Sequence, residues 1–376
     1  MYSKELNSIK KSNRLRTREI FDDNIIDLAS NDYLGLANNK QLFENAYKKV
    51  LTQKYHSPKA SMLVNGYSKI HKEFEDKLKE ENNFEDALIV GSGFLANISM
   101  IEALVRKGDV LFIDEDYHAS GIFATRVLNK EQVITFRHND PNDLEEKIKN
   151  HPTKKRRIIA IEGVYSMGGD IANRKIFDIA DNIDALLIVD EAHSSGVLGE
   201  NLLGIFDFYK IKPKKNHIKM GTLGKAYGSY GAYILGSCNI IEYLLNRAKA
   251  VIYTTAPSLF DTALGLESLK FIIKNKKDIK EKIKANLQVI NDILGITSNS
   301  LIIPIDIADN KKVIQIQKIL KQKGFLVGAI RQPTVKSAII RLIAKIDIKP
   351  EILEEACKII KNLSEQKIIK TTGKVK

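Results

Sequence analysis

Six short runs of branched apolar residues constrain this chain more than anything else in it. They lie at residues 87–90, 110–113, 132–136, 158–162, 186–190 and 217–220. Between most of them stand stretches with apolar residues at three- and four-residue spacing, which predict helices, among them 42–51, 70–81 and 92–104. Strands of Val, Ile and Leu separated by helices predict a mostly parallel sheet covered on both faces. The predicted fold class is therefore α/β.

After residue 273 the pattern changes. A long helix is predicted over 259–273. Beyond it, 301–307, 326–330 and 339–344 read as strands, and 311–322 and 350–365 as helices. The predicted organisation is an arm over 1–37, a large α/β domain over 38–273 and a smaller C-terminal α+β domain over 274–376. The chain has 376 residues, enough for two domains with a sizeable core.

Composition removes several function classes. Lys and Arg number 59 against 46 Asp and Glu, a formal charge of +13, but the excess is scattered. Residues 154–157 and 212–215 read as solvated basic turns, and no zinc-finger, RRM or KH signature accompanies them. No nucleic-acid partner is expected. The two cysteines, Cys238 and Cys357, lie far apart without metal-ligand spacing, so neither a disulfide framework nor a metal site is expected. No apolar run reaches the ~18 residues needed to span a bilayer. The basic opening segment lacks the apolar stretch of a secretory leader, so a cytoplasmic location and no membrane association are expected.

In open α/β sheets, ligands sit beyond the carboxyl ends of the strands. The residues following each run therefore carry the functional argument. Gly91-Ser92-Gly93-Phe94 follows a strand and opens a helix, where backbone amides hold phosphate. The spacing also fits a dinucleotide fingerprint, with Asp114 ending the next strand 21 residues after Gly93. A nicotinamide dehydrogenase and a plain structural turn both remain open on that motif alone. Asp190 ends an apolar run, where a desolvated carboxylate calls for a cationic partner. His193 follows three residues on. Lys225 stands in Gly221-Thr222-Leu223-Gly224-Lys225-Ala226-Tyr227-Gly228, with room for a flat ligand beside its amine. Taken singly, Asp190 also fits a strand-end cap, His193 a loop histidine, and Lys225 a solvated lysine. Together, an acid, a lysine 35 residues later and an upstream phosphate turn suit pyridoxal phosphate, which needs one of each. A dehydrogenase leaves Lys225 idle.

At these residues the sequence resembles the α-oxoamine synthases, fold-type I pyridoxal-phosphate transferases. The resemblance rests on NDYLGLA (31–37), Asn65-Gly66-Tyr67, residues 93–97, EGVYSMGGD (162–170), DEAHSSGVLG (190–199) and TLGKAYG (222–228). The NDYLGLA and EGVYSM stretches and residues 329–334 are most similar to the biotin-pathway branch. That branch joins L-alanine to a pimeloyl thioester, carried on coenzyme A or acyl carrier protein, with loss of carbon dioxide. A sibling branch, the glycine C-acetyltransferases, is the alternative.

The resemblance implies roles residue by residue. Lys225 holds the cofactor and moves the substrate Cα proton. Asp190 binds the pyridine nitrogen, His193 and Ser166 meet the ring hydroxyl, and His118 stacks on the ring. The amides of Gly93 and Phe94, with Thr222, hold the phosphate. Thr254 or Thr255, with Thr255 preferred, reaches the phosphate of a neighbouring subunit in a homodimer with shared sites. Arg341 pairs with the amino-acid carboxylate, Asn31 binds substrate, and Arg16 meets the far carboxylate of the acyl chain. The sequence departs from the family at 57–62, where Met62 replaces an arginine and the usual glycines are gone, and at 334–340, where a proline and a glycine are missing.

Overall fold

The computed structural model describes residues 1–12 and 15–365. Twelve strands are present among the described residues. In chain order they are β1 (Ile26–Asp27), β2 (Asp86–Val90), β3 (Val110–Asp114), β4 (Val133–Phe136), β5 (Arg157–Glu162) and β6 (Leu186–Asp190). These are followed by β7 (His217–Thr222), β8 (Ala232–Gly236), β9 (Ile302–Asp306), β10 (Phe325–Leu326), β11 (Gly328–Ile330) and β12 (Ile339–Ile343).

Seven of them form one sheet in the order β2-β8-β7-β6-β5-β3-β4. From β4 to β7 every neighbour is parallel. Its central strands are almost wholly buried apolar residues, such as Ile158, Ile159, Leu187, Ile188 and Val189 at 0% exposure, as a sheet covered on both faces requires. Strand β8 was not anticipated from the sequence. It runs antiparallel to both β7 and β2, and so turns β2 parallel to β7.

That insertion excludes the dinucleotide-binding reading. A βαβ dinucleotide unit needs β2 and β3 side by side and parallel. Here they stand at opposite parts of the sheet, separated by β8, β7, β6 and β5. Asp114 is not free for a ribose either. Its carboxylate accepts hydrogen bonds from the Tyr165 hydroxyl (2.7 Å) and the Asn139 amide (2.8 Å).

The predicted strand at 326–330 is in fact two. Strand β10 pairs in parallel with β1, whereas β11 pairs antiparallel with β12, which continues to β9. Buried Val327 lies between them, where the chain passes from one sheet to the other. The small sheet is thus β11-β12-β9. The N-terminal segment is stitched to it: Leu28 accepts from the Ile343 amide (2.9 Å) and Tyr33 from the Ile346 amide (3.1 Å). Among the described residues no helix is long and apolar enough to cross a membrane.

Candidate active site

The parallel strands β3, β5, β6 and β7, with β2, end at one edge of the sheet, and the predicted site residues gather there. Register fixes their rows. Glu162 at the end of β5 lies opposite Asp190 at the end of β6. Val90 and Thr222 both lie opposite Ala232 of β8, which brings the glycine turn after β2 beside the end of β7. A Cβ placed on Gly93 would sit 3.8 Å from the Thr222 hydroxyl. Ser92 caps the helix Gly93–Leu104 by accepting from Leu95 N (3.2 Å). The amides of Gly93 and Phe94 lie in the first turn, where no intrahelical acceptor exists. The free first-turn amides could hold an anion, with the Thr222 hydroxyl, which donates to the Gly231 carbonyl (3.1 Å), beside them.

Asp190 is 3% exposed. Its Oδ2 accepts from Asn97 Nδ2 (2.9 Å) and its Oδ1 from the Ala192 amide (3.0 Å). Asn97 is held in turn by the Tyr117 hydroxyl, which donates to its Oδ1 (2.7 Å). Asn97 also donates to Ser120 Oγ (2.9 Å), and that hydroxyl lies 2.6 Å from His118 Nδ1. Glu162 is also buried. Its Oε2 accepts the Ser166 amide (3.0 Å), and its Oε1 has no hydrogen-bond partner. Burial and the neighbouring Asp190 charge push the Glu162 carboxyl far above the usual carboxylate range.

Lys225 brings an amine into this cluster. Its Nζ lies 2.6 Å from His193 Nε2. Desolvation pushes its pKa down to about 8, outweighing the Asp190 and Glu162 charges that raise it, and Arg341 adds to the lowering. His193 is buried, and burial together with the Lys225, Arg341 and His118 charges holds its imidazole far below its ordinary pKa. His193 Nδ1 meets the Tyr33 hydroxyl at 2.5 Å.

The small sheet delivers Arg341 from the middle of β12. Its guanidinium is buried, donating from Nε to the Ser166 carbonyl (2.8 Å) and from Nη2 to Asn31 Oδ1 (3.0 Å). Two of its five N–H groups are used in these bonds, which leaves donors for a carboxylate. The turn bearing Ser166 is itself clamped. His138 bridges Asp114 Oδ1 (3.1 Å) and Asp170 Oδ2 (2.9 Å), its ring edge-on to Tyr165 at 4.3 Å.

One group of predicted residues, Lys225, Asp190, His193, His118, Ser166, Arg341 and Asn31, is thus joined through a few hydrogen bonds and a common field. Thr222 and Gly93 lie together beside it, and the Phe94 ring is exposed against Phe123. Thr255 and Arg16 are exposed and make no hydrogen bond to the cluster among the described residues. The departing loop 57–62 is pinned near Thr255, since Ala60 accepts the Ala256 amide (3.0 Å). Sequence reasoning missed Asn97, Tyr33 and Glu162 as site residues. All three lie inside quoted motifs, but their roles come from partners far along the chain.

Such a site, a lysine in the loop after β7 in the field of a buried acid ending β6 with free helix-start amides nearby, defines a class rather than one reaction. The chain belongs to the aminotransferase class I and II family, whose model matches residues 23–360, and within it to the α-oxoamine synthases. Among individual relatives, an 8-amino-7-oxononanoate synthase of Helicobacter pylori strain J99 is 48% identical over 343 residues, 91% of this chain and 92% of that protein. The crystal structure of 8-amino-7-oxononanoate synthase from Francisella tularensis is 28% identical, with a TM-score of 0.76 over 91% of this chain and 98% of that one. A serine palmitoyltransferase from Sphingomonas wittichii shares the fold, with a TM-score of 0.87 at 23% identity over 96% of each chain. Two further solved chains, described as SPT with PLP, have TM-scores of 0.86 and 0.87. The fold is that of the fold-type I pyridoxal-phosphate transferases.

Proposed function

We propose that this protein condenses L-alanine with a pimeloyl thioester, using pyridoxal phosphate, to give 8-amino-7-oxononanoate, carbon dioxide and free thiol in biotin synthesis. The observation that carries the reading is a half-buried lysine, its pKa lowered to about 8, in the field of the buried acid Asp190. The donor set fits the cofactor: an amine for its aldehyde, a carboxylate for its ring nitrogen, and a helix start with a hydroxyl for its phosphate. The unpartnered Glu162 Oε1 marks a place where the protein alone leaves a buried polar atom unsatisfied. The names of the relatives support the substrate pair.

When bound, pyridoxal phosphate withdraws electrons from the amino-acid Cα and so permits loss of either a proton or carbon dioxide there. The protein supplies the rest. Asp190, fixed by Asn97 and the Ala192 amide, holds the ring nitrogen protonated. Arg341 grips the alanine carboxylate through a charge-assisted fork, with Asn31 setting the angle of its guanidinium. Lys225, near neutral in pKa, takes the Cα proton and returns one after carbon dioxide has left. His193 and Ser166 orient the ring, His118 covers it, and Gly93, Phe94 and Thr222 hold the phosphate. Thr255 reaches the phosphate of a second subunit in a homodimer, and Arg16 meets the distal carboxylate of the acyl chain. The net positive charge draws in an anionic donor, coenzyme A thioester or acyl carrier protein alike. The reaction takes place in the cytoplasm.

The test is the visible spectrum before and after borohydride, with peptide mapping of the adduct, followed by product analysis. Alanine and glycine are each offered with pimeloyl and acetyl thioesters. An adduct on a lysine other than Lys225 overturns the site. Turnover of glycine with the acetyl thioester alone overturns the substrate pair.

A further inference from the structure

We propose that Tyr33 is a positioning residue that holds His193 in the tautomer with its proton on Nδ1, leaving Nε2 as an acceptor turned to Lys225. The inference deepens the proposed function, in which His193 is the group facing the cofactor ring.

The argument is one of donor and acceptor counting along a buried chain. At one end, Asn31 Oδ1 receives Arg341 Nη2, and a guanidinium can only donate. That fixes Asn31 with its oxygen toward the cluster. The Tyr33 hydroxyl, on a side chain 1% exposed, lies 3.3 Å from the same oxygen and therefore donates to it. With its hydrogen spent there, Tyr33 Oη is left to accept, from the Arg341 guanidinium and from the Nδ1 proton of His193 at 2.5 Å. At the other end, Lys225 Nζ is 2.6 Å from Nε2. An amine that titrates at about 8 is an ammonium at neutral pH, so it too can only donate. Both ends demand the same imidazole: N–H at Nδ1, lone pair at Nε2. Burial and the surrounding cations keep His193 neutral, so it carries one proton and not two.

Tyr33 has the further merit of being fixed by the fold. Its backbone carbonyl is tied to the Ile346 amide, and its ring stands edge-on to the His193 ring at 6.1 Å. A phenol is also both donor and acceptor.

The experiment reads the protein freed of cofactor, with 15N-labelled histidine, in long-range proton–nitrogen correlation spectra near neutral pH. The His193 signals are those lost in His193→Gln. The expected pattern is a protonated Nδ1 and an unprotonated Nε2, and in Tyr33→Phe that single-tautomer pattern is lost. In the loaded enzyme Tyr33→Phe lowers kcat about 10–100-fold, the effect of removing a partner that orients an imidazole. A proton on Nε2 in the wild-type protein overturns the proposal, and does so even if Tyr33→Phe fails to fold. So does an unchanged pattern in a folded Tyr33→Phe. A protein that takes up no pyridoxal phosphate would instead overturn the proposed function and leave these spectra readable.

Discussion

Replacing His138 with glutamine removes the cation that clasps Asp114 and Asp170, and the structure sets the size and pH dependence of the loss. The two carboxylates raise the His138 imidazole from 6.5 to about 10, against a desolvation that lowers it. That gap, at about 1.36 kcal/mol per pH unit, caps the native-state stabilisation at about 5 kcal/mol. The His138 side chain is 27% exposed and Asp170 40%, so solvent screening reduces the expected value to about 2–3 kcal/mol. A pKa raised in the folded state stabilises fully below the unfolded value of 6.5, and the benefit drains away as pH climbs toward about 10. Urea unfolding of wild type and His138→Gln at about pH 6 and about pH 9.5 is the assay. The difference between the proteins should be about 2–3 kcal/mol at the lower pH and below about 1 kcal/mol at the higher. A difference that stays constant, or grows with pH, refutes the reasoning.

Three further outcomes are expected. Arg341→Lys replaces a fork by a single ammonium and should raise the KM for alanine about 10–100-fold in steady-state assays, the equivalent of about 1.5–3 kcal/mol for a charged hydrogen bond. Gly204→Ala should cost roughly 2–4 kcal/mol in urea unfolding, since φ is +98° there and a Cβ would collide with the buried Glu191 carboxylate. The rate at which cofactor-free protein captures added pyridoxal phosphate should rise with pH and level off above about 8, where the Lys225 amine becomes neutral, as stopped-flow absorbance would show.

Much of this site could be read from the chain because its chemistry is local. Asp190 closes an apolar run and Lys225 stands in the glycine loop just past the end of β7, and a strand end places the residues at and just beyond it at the sheet edge whatever surrounds them. The glycine turn at 91–93 opens its helix for the same local reason. Strand β8 escaped because alternation of strand and helix was the guide, and β8 follows β7 through a turn with no helix between. Its insertion decides that β2 does not neighbour β3, a fact of topology that no short window contains. The chemical partners missed were long-range in the same sense. Tyr33 and His193 are 160 residues apart, and Asn97 and Asp190 are 93. The split between β10 and β11 was hidden because an apolar run of five residues does not say with which sheet each residue pairs.

The dependence of the N-terminal segment on the last third of the chain has a consequence for synthesis. Strand β1 pairs with β10, and residues 28 and 33 accept amides from residues 343 and 346. A nascent polypeptide leaving the ribosome can lay down all seven strands of the large sheet while Asn31 and Tyr33, made first, still wait for strands that have not been translated. Competence for turnover is therefore acquired late. A message cut short before codon 341 yields a core with its amine and its acid but without the arginine, and with the tyrosine's anchoring backbone partner never made.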